Sequence, residues 1–156
     1  MRTKDLQRLW WDWLGTSERL LRSLYEQTAA LTLRDAARVE RIQPELDTML
    51  ARIQELDGEA AACAKGLAEE LGAEPNLRGL VQALDKAEAQ QLQAIANRVT
   101  VAARNIDHVI KKNHALISNE LDFIDSTVTF LARAANKAQG PFSKPAHAAV
   151  LLDQAA

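Results

Sequence analysis

The chain has 156 residues, enough for one domain with a modest core. Its formal net charge of -2 lacks the basic excess with which nucleic-acid binders meet phosphate, and its single cysteine, Cys63, excludes an intramolecular disulfide and points to a reducing compartment. Strong helix formers dominate the composition, and no stretch reaches the roughly 20 apolar residues of a membrane span.

The first segment, 3–31, places Leu6, Leu9, Trp10, Trp13, Leu14, Leu20, Leu21, Leu24 and Leu31 at spacings of three and four, which predicts one amphipathic helix. Gly15 weakens it locally. The N-terminus is charged and then periodic, unlike a secretory signal, so a cytoplasmic protein is expected. Thr32-Leu33-Arg34-Asp35 reads as a break, and a second helix is expected from 34 or 35 to 71. Its stripe includes Ile42, Leu46, Met49, Ile53, Leu56, Ala60, Cys63 and Leu67. Pro44 inside it predicts a kink or short break, and Gly72 a glycine C-cap. Residues 73–76 form a loop in which Asn76 can cap a short helix over 77–84, one able to run on into the next helix.

The last helix is expected over 87–136. Read in heptads, one seam position takes Leu92, Val99, Ile106 and Asn113; the other takes Ile95, Ala102, Val109, Leu116, Phe123 and Phe130. A second stripe, Ile110, Ile117, Leu121, Ile124, Val128 and Leu131, joins in the lower half, so the apolar arc widens there and calls for more than one neighbour. Gln139-Gly140-Pro141 ends the helix, and a mobile tail follows whose run 146–152 could dock on a groove. The pattern predicts an all-α protein: an elongated antiparallel helical bundle or coiled coil over 1–137, with a long C-terminal helix and a tail over 138–156.

No arrangement of reactive residues rises above background, so no enzyme, cofactor or metal is expected. Glu-x-x-His pairs, which a carboxylate-bridged metal bundle needs, are missing, and His108 and His114 lie apart around one helix. Cys63, in a run of alanines, reads as an inert thiol, and Lys111–Lys112 as a solvated helix face. Two features suggest protein binding. Trp11 in Trp10-Trp11-Asp12-Trp13 points off the main stripe, as an interface anchor would. Asn113 occupies a seam position, where it either fixes register or reaches water at the seam edge.

Asn113-His114-Ala115-Leu116-Ile117 resembles the signature of FlgN-type flagellar export chaperones, an Asn-Gly-any-Leu-Leu/Ile stretch in a long last helix. Asn113, Leu116 and Ile117 match; His114 replaces the usual Gly, and Ile110 replaces an Asn three residues earlier. Glu26, Ala30, Leu31 and Asp35 resemble the family's stretch at the first helix boundary, and Gly140 sits where its last helix ends. The resemblance implies a cytoplasmic chaperone that holds a helical terminus of hook–filament junction proteins of the FlgK and FlgL type and delivers them to the export gate, using no nucleotide. A client helix laid in a groove needs anchors at i, i+3, i+4 and i+7. The widened arc supplies Val109, Leu116, Ile117, Leu121, Phe123 and Ile124, with Asn113 setting register. The alternative is a client-free coiled-coil scaffold or homodimer that uses the same arc for self-association.

Overall fold

The computed structural model describes residues 2–139. They form four helices, α1 (Lys4–Thr32), α2 (Ala36–Leu71), α3 (Leu77–Ala83) and α4 (Lys86–Gln139), with no strand among the described residues. The all-α expectation holds. The expected tail lies, from residue 140 onward, outside the described residues. The chain divides into two compact units, Met1–Asn113 and His114–Ala156.

In the first unit α1 buries Leu6, Leu9, Trp13, Leu20, Leu24 and Ala30 among Ile42, Leu46, Met49, Ile53, Leu56 and Leu67 of α2 and Leu92, Ile106 and Val109 of α4. Each large side chain so buried contributes about 1.5–3 kcal/mol. The polar groups of the buried Thr16 and Ser17, beside Gly15, are satisfied within their own helix by the carbonyls of Asp12 and Leu14.

Direction follows from the bonds between helices. Gln27 near the end of α1 reaches Gln43 near the start of α2, at 3.4 Å, while the charges of Asp5 and Arg8 act on Cys63 late in α2. Those two helices are antiparallel. Along α4, Glu88 meets Thr3 and Asn113 meets Thr28, two contacts with the same sequence separation of 85. α1 and α4 therefore run side by side in the same direction, in constant register, which completes an up-down-up bundle.

The breaks have local causes. α1 ends in a Schellman turn: Asp35 N–H donates to Ala30 O and Arg34 N–H to Leu31 O, with Arg34 left-handed at φ 55. The Asp35 carboxylate then caps α2 by accepting from Arg38 N–H at 3.1 Å. α2 ends the same way, with Gly72 at φ 62. A Cβ there would meet nothing within 4 Å, so only backbone strain opposes a side chain. Gly72→Ala should destabilise the protein by about 1 kcal/mol in urea denaturation, without altering its binding.

Gly79 has the opposite problem. A Cβ would stand 2.5 Å from the carbonyl oxygen of Glu74, in the loop that carries the Asn76 cap.

Two expectations are narrowed. Of the kink or short break expected at Pro44, the break does not occur, since α2 is continuous past it. Pro44 and Glu40 are both exposed, so the carbonyl that proline leaves unpaired can be hydrated. Nor does α3 run into α4: Leu84 is extended, and Asp85 starts α4 by accepting from Ala87 and Glu88 N–H at 2.9 and 3.0 Å. Those bonds hold the Asp85 carboxyl below its ordinary pKa. A lowered folded pKa makes the cap's contribution present above the ordinary carboxylate range and lost as pH falls through the folded value.

Candidate protein-binding surface

The heptad seam of α4 changes character at Asn113. Before it, Leu92, Ile95, Ile106 and Val109 are buried, with Val99 and Ala102 half-buried. After it, in the second unit, Leu116 and Ile117 are half-buried while Phe123 and Phe130 are exposed. The second stripe is equally open: Leu121 is 49% exposed, Ile124 48% and Leu131 59%. At 100° per residue these side chains fall within about half the circumference of the helix, interrupted there by Glu120 and Thr127, and Ser118, Asp122, Asp125, Ser126, Thr129 and Arg133 take the other half. A lone exposed leucine needs no explanation; so many apolar side chains on one side of a helix mark an interaction face.

The expected contact set is therefore divided. Leu116, Ile117, Leu121, Phe123 and Ile124 share this face. Val109 does not: at 4% exposure it belongs to the core of the first unit, because the seam there is already covered by α1 and α2. Asn113 is 2% exposed and also faces inward. Its Nδ2 donates to Leu24 O at 3.0 Å and to Gln27 Oε1 at 2.9 Å, and its Oδ1 accepts from the Thr28 hydroxyl. Gln27 passes the network on to Gln43 of α2, which bonds Asp47 at 2.9 Å. Asn113 therefore does not reach water at a seam edge; its side-chain bonds lie within the first unit.

At the other end of the α1–α4 pair Glu88, 8% exposed, accepts from Thr3 N–H and hydroxyl at 3.5 and 3.3 Å, satisfying the backbone donor of the residue before α1.

The first unit carries a second opening. Trp11 is 49% exposed, and the Arg98 guanidinium of α4 lies over its ring, 5.5 Å from the centroid. Beside this pair a groove of about 420 Å³ runs between α1 and α4 over Leu14, Leu21, Ala102 and Ile106. The sequence singles out Trp11 but not Arg98, since pairing between helices far apart along the chain leaves no local pattern.

The remaining candidates stay ordinary. His108 and His114 are exposed, and no group of three metal-ligating side chains occurs among the described residues. Lys111 pairs with Asp107 at 2.8 Å on an exposed face. Burial pushes the half-buried Cys63 thiol above its ordinary pKa, helped by the Asp5 carboxylate. Alkylation at pH 8 should therefore run several-fold slower than for a free cysteine and approach it on unfolding, because the thiolate is the nucleophile.

No helix of the described residues is long and apolar enough to cross a membrane. No curated protein and no solved structure matches the chain. The family model described as FlgN protein matches residues 1–141. That match takes in both the register network at Asn113 and the open half-helix beyond it, and with it the chain belongs to the FlgN family of flagellar export chaperones.

Proposed function

We propose that this protein chaperones hook–filament junction proteins in the cytoplasm before their export, holding a helical terminus of the client against the apolar half of α4 between Leu116 and Leu131. The observation that carries the reading is the exposure of Leu121, Phe123, Ile124, Phe130 and Leu131 on one segment, between 48 and 70%. Helices that pack side by side meet through anchors spaced three and four residues apart, and Ile117, Leu121, Ile124 and Val128 follow one another in that rhythm. Covering such a face would remove from water the client surface that otherwise drives premature assembly.

The test mixes the purified chain with a purified junction protein from the same organism and follows both complex formation and the client's self-assembly. A stable complex with suppressed assembly is expected. A chain that stays alone, or that only forms its own dimer through this face while the client assembles unhindered, overturns the reading in favour of the scaffold.

A further inference from the structure

α1 has two seams. The first faces the core. The second, Trp11, Leu14, Glu18, Leu21 and Tyr25, repeats at intervals of three and four, and its middle three residues line the α1–α4 groove. Leu14 and Leu21 are half-buried on its wall, while Trp11 and Tyr25 at its two ends are 49 and 56% exposed. On the facing wall Val101 of α4 is 55% exposed. Three packed helices thus leave open the place of a fourth. From Trp11 to Tyr25 the seam is about 21 Å long at 1.5 Å per residue, roughly four helical turns.

Two charges identify what fits. Glu18 sits in the middle of the seam on one wall and Arg98 on the other. Among the described residues neither has an ion-pair partner, and Arg98 instead lies over Trp11. A second copy of this chain docked with the two-fold axis at Glu18, the middle of the seam, would set that carboxylate against its own copy, which disfavours that arrangement. The chain's own apolar run, 146–152, would span about 10 Å as a helix, half the seam.

We infer that the α1–α4 groove is a second docking site, separate from the α4 face, for one amphipathic helix of a partner protein that carries a basic residue opposite Glu18 and an acidic residue opposite Arg98. In register, Arg98 stands level with Trp13, so the two partner charges lie about five residues apart on opposite edges of the partner's apolar stripe. Flanking charges of this kind select partners in paired helices. The inference does not depend on the client reading.

The test uses the full chain and a synthetic 18-residue amphipathic helix with leucines on its stripe and one lysine and one glutamate five residues apart at its edges. Binding is followed by fluorescence of the labelled peptide. The protein should bind it, Val101→Glu should weaken binding at least tenfold, and Glu18→Lys at least fivefold. A peptide with the lysine replaced by glutamate should regain affinity for Glu18→Lys alone. Both substituted positions are exposed, so circular dichroism should show an intact fold. Absence of binding, or binding indifferent to Val101→Glu or to the charge change, overturns the inference. So does binding lost in a Leu121→Asp/Ile124→Asp protein, which would place the peptide on the other face.

Discussion

Asn113→Asp should destabilise the protein by about 3 kcal/mol at pH 7. The asparagine amide donates twice, to Leu24 O and Gln27 Oε1. A carboxylate donates nothing. The Gln27 side chain can turn to offer its own N–H, but the Leu24 carbonyl is fixed in α1 and would face a buried anion at hydrogen-bond distance. Losing the donor costs about 1–3 kcal/mol, and leaving a buried charge without a counter-ion costs more. Because burial and the facing carbonyl disfavour the anion, the folded-state pKa of the new carboxyl is raised. The folded state then holds the proton more tightly than the unfolded one, so the penalty is smallest at low pH and grows as pH rises through the carboxylate range. Asn113→Ala, which loses the bonds without adding charge, should cost about 2 kcal/mol with no such pH dependence. Urea denaturation at pH 4 and pH 7 measures both. Equal loss at the two pH values would contradict the network described for Asn113.

Leu121→Asp/Ile124→Asp should abolish client binding, a loss of at least a hundredfold, while shifting the thermal midpoint by no more than a few degrees. The asymmetry follows from exposure. Both side chains are about half exposed, so the folded chain loses little when they become charged. In a complex each would be covered, and an unpaired carboxylate held against an apolar client helix costs several kcal/mol. Val109→Asp should do the reverse. It is buried in the first unit, so it should unfold the bundle instead of selectively blocking the client. Comparing the two variants by thermal melts and calorimetric titration separates a client face from a core position. Unchanged affinity in Leu121→Asp/Ile124→Asp would remove the α4 face from the proposed function.

The helices, their order and most of their ends were legible in the sequence because each rests on neighbours within a few residues. Period-3.6 stripes give α1, α2 and α4, Asn76 caps α3, and Gly72 ends α2. The Schellman turn at Arg34 and the cap at Asp85 are local as well, but arginine is not a residue that announces a left-handed turn, and Leu84 continues the apolar pattern that Asp85 interrupts. The widened arc of α4 was also visible. Read alone, the residues require that something bury this arc, since apolar periodicity records a face and not what covers it.

Where the covering stops is a tertiary matter. Val109 and Leu116 occupy the same heptad position and are indistinguishable by pattern, yet one lies in the core and the other in the open unit beyond Asn113. The difference comes from α1. It is 29 residues long and meets α4 at a sequence separation of 85, as in Thr28 with Asn113, the residue at which the first unit ends. The same register brings Arg98 over Trp11 and opens the groove beside them. Register between helices far apart in sequence is set by packing and by a few buried polar contacts, and no local pattern encodes it.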